Sequence, residues 1–176
     1  MKWVFNIKSS GDYKARLVAL GCNQIPGKDF KESNSPVLHE VTMRLMILYY
    51  IINKKMVIRQ LDVEADFLEG TLKEEIYIRK PEGLGEIDEC DWFYGRLNKS
   101  LYGLVQSSYV FYNELRSYMI DTMDIIQCQS DTCFFRDDNN ELFIGVYVDD
   151  ILVVGLESKV ESFIEILKRR VTLTVK

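Results

Sequence analysis

The sequence predicts a mixed α+β protein, and three observations support this class. A strand hairpin at the start, an apolar helix over 41–54 and three consecutive strands within 128–156 are joined by further amphipathic helical segments. The chain has 176 residues, 47% of them hydrophobic, which suffices for one good-sized globular unit or two lobes sharing a core. With 10 Tyr, 9 Phe and only 3 Pro, the composition argues against disorder.

The first third of the chain predicts a hairpin, a loop, a helix and a buried strand. Residues 2–8 (KWVFNIK) alternate as a strand does, and YKARLVALG, after an SSGD turn, predicts the partner strand. The polar residues 22–36 predict a loop. The apolar run 41–54 predicts a helix, and residues 56–63 predict a buried strand that ends at an acidic residue.

The rest of the chain also predicts both strands and helices. A short helical turn is predicted to end at Gly70, because glycine breaks a helix. The remaining predicted elements are a strand with a Pro/Gly turn over 74–84, a strand and loop over 92–104, a helix over 107–124, three strands over 128–156 with tight turns at DDNN and at the Asp pair, a helix over 156–170 and the start of a strand over 171–176.

Composition narrows the function classes. The net charge of −5 argues mildly against a dedicated nucleic-acid module, although a metal-binding carboxylate cluster would itself lower the net charge. No apolar run approaches the ~20 residues that span a bilayer. We expect no secretory signal at the N-terminus, because its apolar stretch is too short and no small-residue cleavage site follows it. Four cysteines without C-x-x-C spacing and a single histidine, His39, argue against a zinc site and favour reduced thiols in an intracellular protein.

Two adjacent acids, Asp149 and Asp150, lie inside the apolar stretch FIGVYVDDILVVG. One interpretation is a hairpin turn, because Asp is a common turn residue. The other is a cation site, because like charges held together need a counter-charge. A third acid, Asp62, stands where the buried strand 56–63 meets a predicted helical turn, where it would either cap that helix or serve a functional site.

If the strand that carries Asp62 lies beside the hairpin, three carboxylates approach one point. Carboxylate oxygens are hard ligands that favour Mg²⁺ or Mn²⁺. Two such ions ~3.5–4 Å apart can bind the attacking and leaving oxygens of a phosphoryl transfer. The three acids together therefore predict nucleotidyl transfer.

The chain resembles the reverse transcriptases of copia-type long-terminal-repeat retrotransposons over essentially its full length. An LDV upstream of YVDD, in this order and spacing, is a strong signal, and eight collinear stretches together carry the resemblance. The matching stretches are KWVFNIK, YKARLVALG, SPV (35–37), QLDVEADFLEG, EEIYIRKPEGL, LNKSLYGLVQ, SDTCFF and YVDDILVVG.

The resemblance implies a fingers–palm architecture, with an antiparallel palm sheet backed by helices. It assigns residues 1–55 and 70–106 to the fingers, and residues 56–69 and 107–176 to the palm. No thumb is included, and the resemblance implies that thumb, connection and RNase H segments follow residue 176.

The resemblance also implies the site residues. Asp62, Asp149 and Asp150 would be catalytic and would hold two Mg²⁺ ions, with Mn²⁺ as a possible substitute, and the backbone carbonyl of Val63 would be a further ligand. Phe67 matches the bulky gate that excludes a 2′-hydroxyl, although core packing is the alternative explanation for this ring.

Four further residues match nucleotide-binding positions of the family. Lys14 and Arg16, on the predicted N-terminal hairpin, match family positions near the incoming triphosphate. Both side chains suit this role: Arg binds phosphate through a rigid fork of donors, and Lys through a point charge. Without the family context, two solvated charges on a strand face would be the more common explanation for such a pair. Tyr102 and Gly103, in the LYG motif, are assigned to the same binding region.

The partners implied are an RNA template, a DNA or RNA primer, deoxynucleoside triphosphates and the remaining Pol segments, with no membrane. The resemblance implies an intracellular location, either in cytoplasmic virus-like particles or in the nucleus.

Four residues depart from the family pattern and support an alternative function. Asp66 replaces a small residue, Val105 replaces Lys, Ser108 replaces Pro and Tyr109 replaces Arg. Losing cations weakens phosphate contacts. The alternative is a decayed or truncated copy without polymerase activity, which binds only nucleic acid or a protein, with tyrosines such as Tyr102 as stacking surfaces. Another palm-type nucleotidyltransferase fits the acids but not the YVDD and LYGL context.

Overall fold

The computed structural model describes residues 1–64, 70–83 and 94–176, which form ten strands and three α-helices. The elements are β1 (Lys2–Ile7), β2 (Tyr13–Val18), α1 (Glu40–Ile52), β3 (Met56–Glu64), β4 (Thr71–Arg79), β5 (Tyr94–Lys99), α2 (Ser107–Met123), β6 (Ile126–Gln127), β7 (Phe134–Arg136), β8 (Leu142–Tyr147), β9 (Asp150–Leu156), α3 (Glu157–Leu167) and β10 (Thr172–Val175). No helix among these described residues is long and apolar enough to cross a membrane.

The chain divides into two compact units. Unit 1 comprises Met1–Asn34 and Phe67–Phe111, and unit 2 comprises Ser35–Asp66 and Tyr112–Lys176. The predicted division into fingers and palm stays a prediction. It differs from these units in placing α1 with the N-terminal hairpin, whereas α1 belongs to unit 2 because Met46 packs against the backbone of Gly145 in β8.

Unit 1 contains two antiparallel hairpins, β1–β2 and β4–β5. Its small core consists of Ala19, Ile76 and Leu104, with Leu72, Leu97 and Leu101 packed against them. The amide of Ala19, just after β2, donates to the carbonyl of Tyr102 at 2.7 Å. This bond fixes the loop after β5 against the end of β2.

Unit 2 is built on a six-stranded sheet in the order β10-β3-β9-β8-β7-β6, in which every neighbouring pair of the described strands is antiparallel. Apolar side chains alternate along its inner strands. Leu61 of β3 and Ile151 of β9 are paired across the ladder, and both are fully buried. The buried face of the sheet therefore provides the core of the unit.

Helices cover both faces of this sheet. Arg59 of β3 lies 3.9 Å from Glu161 of α3, which places α3 on the face that carries Leu61. The helix α3 is amphipathic and buries Val160, Phe163, Ile164 and Leu167. The helix α1 lies on the opposite face and buries only Met46 among its residues, so its other apolar side chains stay largely exposed.

A buried carboxylate fixes the start of α1. Asp131, from the SDTCFF stretch, is 4% exposed and accepts hydrogen bonds from the amides of His39 and Cys133, both at 3.0 Å. Desolvation raises the pKa of Asp131, but hydrogen bonds from Thr42, His39 and Cys133 outweigh it, so its pKa lies below the ordinary value. The ionised form of Asp131 therefore stabilises the helix start.

The predicted α+β class is confirmed, with three helices and a six-stranded antiparallel sheet in the described chain. The predicted helices 41–54, 107–124 and 156–170 correspond to α1, α2 and α3. The prediction of three strands in 128–156 is confirmed by β7, β8 and β9, whereas β6 was not predicted because two residues leave too little pattern. The predicted turn ending at Gly70 lies mostly outside the described residues.

Candidate functional site

The tight turn between β8 and β9 contains a strained residue. Tyr147 pairs with Asp150, so the turn consists of Val148 and Asp149, and Asp150 already belongs to β9. The predicted turn at the Asp pair is therefore displaced by one residue. Val148 has a φ of 55°, a left-handed conformation that is costly for a β-branched side chain. Of the two turn residues, Val148 has a positive φ and Asp149 does not. This combination is typical of a type II′ turn, whose first position is usually occupied by glycine.

Asp62 lies next to this turn. It is the cross-strand partner of Asp150, and the amide of the next residue, Val63, donates to the carbonyl of Asp149 at 3.0 Å. Directly opposite residues in an antiparallel pair have Cβ atoms about 5 Å apart and project from the same face. Two of the three predicted catalytic acids are therefore cross-strand neighbours on one face, and the third forms the adjoining turn.

Neighbouring polar groups bind both facing carboxylates. The Lys176 ammonium donates to Asp62 Oδ2 at 2.8 Å, and Gln60 Nε2 donates to Asp150 Oδ1 at 2.9 Å. The hydrogen bond to Asp62 raises the pKa of Lys176; the charges of Asp62 and Asp150 add to this, and desolvation opposes it. The two carboxylates therefore lie in a polar row whose charge Lys176 partly balances.

The donor chemistry of this pair fits a hard divalent cation, because carboxylate oxygens are the ligands that Mg²⁺ and Mn²⁺ prefer. Within residues 1–64, 70–83 and 94–176, however, no three His, Cys, Asp or Glu side chains are grouped closely enough to hold a metal ion. The metal ligands Asp62, Val63, Asp149 and Asp150 stay a prediction.

A cleft opens beside Asp150, between α1 and the sheet. Its volume is about 640 Å³, and it is lined by Leu38, Met43, Ile47, Gln60, Tyr147 and Asp150, among others. This volume is within the range typical of sites that bind small molecules. The acidic pair therefore borders a concave and partly apolar surface.

Unit 1 brings together two of the predicted nucleotide-binding residues. The guanidinium of Arg16 lies over the ring of Tyr102, 5.5 Å from its centroid, a cation–π arrangement. Lys14 is two residues before Arg16 on β2 and shares its strand face. Gly103 has a φ of 87°, and a Cβ there would lie 2.3 Å from the Ala19 carbonyl oxygen. Only glycine fits this position.

The remaining predicted residues are less informative. Phe67 and Asp66 lie outside the described residues. Val105 donates its amide to Gln24 Oε1 at 2.8 Å, and Tyr109 donates its hydroxyl to Glu32. Both departures from the family pattern are therefore accommodated within unit 1 by local hydrogen bonds.

Sequence reasoning missed Gln60 and Lys176. Gln60 could have been found, because it lies two residues before Asp62 and a strand repeats its faces every two residues. Lys176 could not, because its proximity to Asp62 depends on the pairing of β10 with β3, and nothing local in the sequence specifies that register.

The family described as reverse transcriptase (RNA-dependent DNA polymerase) matches residues 1–175. The chain belongs to this family. Its resemblance to copia-type reverse transcriptases is confirmed, because its relatives at about 40% identity are Pol polyproteins of such elements.

Three relatives of this reverse transcriptase domain illustrate the match. It is 40% identical over 161 residues to the retrovirus-related Pol polyprotein from transposon RE2 of Arabidopsis thaliana, which covers 88% of the chain and 11% of that protein. It is 41% identical over 162 residues to the corresponding polyprotein from transposon TNT 1-94 of Nicotiana tabacum, covering 88% and 12%. The transposon Ty1-NL2 Gag-Pol polyprotein of Saccharomyces cerevisiae is 34% identical over 151 residues, covering 86% and 8%. The chain spans about a tenth of the length of these relatives.

Proposed function

We propose that this reverse transcriptase domain catalyses RNA-directed DNA synthesis. The 3′-hydroxyl of a DNA or RNA primer attacks the α-phosphate of a deoxynucleoside triphosphate on an RNA template, and pyrophosphate leaves. The observation that carries this proposal is the register that pairs Asp62 with Asp150 beside the strained turn at Val148. Strain persists only where the surrounding structure enforces it, and such residues cluster at functional sites.

The residues proposed to hold two Mg²⁺ ions are Asp62, Asp149 and Asp150, together with the backbone carbonyl of Val63. When bound, these ions, or Mn²⁺ in their place, would supply positive charge to the attacking and leaving oxygens. The protein itself supplies the alignment. Two carboxylates are fixed by the β3–β9 ladder, and the turn residue Asp149 is held to β3 through the amide of Val63.

Unit 1 supplies the residues proposed to bind the nucleotide. Arg16 presents a planar set of donors that suits phosphate oxygens, and its stacking on Tyr102 limits the positions of its side chain. Lys14 adds a second positive charge on the same strand face. Phe67 is proposed as the gate against a 2′-hydroxyl, on the basis of the family match alone.

The architecture proposed for the whole enzyme follows from the family. The fingers would comprise residues 1–55 and 70–106 and the palm residues 56–69 and 107–176, with the thumb and RNase H supplied by other Pol segments. An intracellular site of action, in virus-like particles or in the nucleus, is part of the same proposal.

The test is primer extension on oligo(dT)-primed poly(rA) with Mg²⁺ or Mn²⁺, using the chain joined to the Pol segments that follow it in its relatives. Asp150→Asn should reduce incorporation ~10²–10³-fold, because a catalytic carboxylate acts at the reacting centre. Asp138→Asn is the matched control, since it makes the same change at an exposed residue within the DDNN turn. Equal incorporation by the two variants would refute the assigned role of Asp150.

A second candidate function is a catalytically silent domain that binds nucleic acid or a protein. Two observations favour it: Asp62 is ion-paired with Lys176, and Val105 and Tyr109 replace cations of the family pattern. The same assay distinguishes the two candidates. A domain that retains a primer–template hybrid in a filter-binding assay but incorporates no nucleotide with either metal would support this second function.

A further inference from the structure

The C-terminal strand of the sheet brings a lysine to the acidic pair. Thr174 of β10 is the cross-strand partner of Asp62. Lys176 exchanges two backbone hydrogen bonds with Gln60, at 2.8 and 3.2 Å, so its position is set by the ladder. Because Lys176 lies two residues after Thr174, its side chain projects from the same face as Asp62.

The ammonium of Lys176 contacts a carboxylate oxygen of Asp62 that a divalent cation would use as a ligand. It is 2.8 Å from Asp62 Oδ2, and the two side chains are 52% and 44% exposed, so solvent ions can reach the pair. Gln60 donates to Asp150 from the row of side chains that also contains Lys176. The protein itself therefore balances part of the charge of the acidic pair and donates a hydrogen bond to each of its two carboxylates.

We propose that the Lys176 ammonium is a resident counter-charge on Asp62 that a divalent cation must displace, so that Lys176 sets the cation affinity of the site. This inference rests on the proposed function, because it assumes that Asp62 is a cation ligand. Lys176 is a positioning residue in this proposal: it holds the Asp62 carboxylate in place when no divalent cation is bound, and it competes with the cation for the same oxygen.

The direction in which cation affinity changes when Lys176 is replaced distinguishes competition from a purely structural role. If Lys176 only stabilised the strand, its replacement would weaken cation binding or leave it unchanged. If its ammonium competes for Asp62, Lys176→Gln should tighten binding. Exposed ion pairs contribute little, so the expected gain in affinity is about two- to fivefold.

The experiment measures Mn²⁺ binding by electron paramagnetic resonance for the wild type, Lys176→Gln, Asp62→Asn and the control Lys54→Gln. Lys54 is exposed and precedes the start of β3, about 20 Å along the strand from Asp62. Every variant carries the same Gly-Ser extension after Lys176, which moves the terminal carboxylate away from the pair. Lys176→Gln should bind more tightly than both the wild type and Lys54→Gln.

A second measurement needs no metal. The unfolding temperature is compared in the presence of a chelator for the wild type, Lys176→Gln, Asp62→Asn and the double variant. If the ammonium neutralises Asp62, Lys176→Gln should lower the unfolding temperature in the wild-type background but not in the Asp62→Asn background. Additive effects of the two substitutions would overturn the proposal.

The outcomes separate this inference from the proposed function. If the wild type binds Mn²⁺, Asp62→Asn loses it and Lys176→Gln binds with unchanged or weaker affinity, Lys176 is not a competitor and only this inference fails. If the wild type binds no Mn²⁺, or if Asp62→Asn binds it as the wild type does, then Asp62 is not a cation ligand. Both this inference and the proposed function then fail, because each assumes that it is.

Discussion

Because Val148 has a left-handed conformation, we expect its glycine variant to be more stable than its alanine variant, which reverses the usual order. A left-handed φ costs an L-residue about 1–2 kcal/mol, and Ala retains this cost whereas Gly does not. Glycine loses more chain entropy on folding, about 0.5–1 kcal/mol relative to Ala. At a φ of 55°, Val148→Gly should therefore be more stable than Val148→Ala by about 0.5–1 kcal/mol.

Ser162 provides the matched control, because it is exposed in the middle of α3. There Ser162→Gly should be less stable than Ser162→Ala by about 1 kcal/mol, which is the helix-propensity difference. The assay is urea unfolding followed by circular dichroism, with hydrogen exchange at the amides of β8 and β9 to confirm that the effect is local. For a chain of this size, 1 kcal/mol corresponds to about 2–4 °C in unfolding temperature. If Gly is the less stable variant at both positions, the turn is not strained as the structure indicates.

Two further predictions concern other special positions. Gly103→Ala should destabilise unit 1 by at least ~1 kcal/mol, because the backbone φ is 87° and the new Cβ would lie 2.3 Å from the Ala19 carbonyl oxygen. Hydrogen exchange of the β2 amides would measure this loss of stability. Unchanged exchange rates would contradict the prediction. Asp131→Asn should lower the free energy of unfolding by about 1–3 kcal/mol at pH 7, because a neutral side chain replaces a carboxylate that accepts hydrogen bonds from two backbone amides. The folded-state pKa of Asp131 lies below its unfolded value, so this difference in unfolding free energy should be full above the unfolded carboxyl pKa and shrink as the pH falls through the folded pKa. A difference that stays constant into strong acid would contradict the assignment.

Elements with a strong local pattern could be predicted from the sequence. The alternation in 2–8, the β-branched run around FIGVYVDDILVVG and the amphipathic spacing of 107–124 each correspond to an observed strand or helix. The exposure of α1 could not be predicted, because an apolar helix in a sequence suggests burial, whereas only Met46 of this helix is buried.

The candidate site was predictable in its residue types but not in its pairing. The presence of Asp62, Asp149 and Asp150 in strand-like contexts is visible in the sequence. Their register is a non-local property, and so is the approach of Lys176 to Asp62. The strained conformation of Val148 could not be predicted from the sequence either, because a β-branched residue does not indicate a left-handed turn position.

The register that pairs the two acids is enforced by the apolar residues next to them. Leu61 and Ile151 are paired and fully buried, one residue away from the pair of Asp62 and Asp150. A slip of β3 by one residue would turn Leu61 toward the other face and Asp62 into the core beneath α3. Burying Leu61 and Ile151 contributes about 1.5–3 kcal/mol each, which exceeds the repulsion between two partly exposed carboxylates. The core of unit 2 therefore holds two like charges opposite each other, in a position that repulsion alone would disfavour.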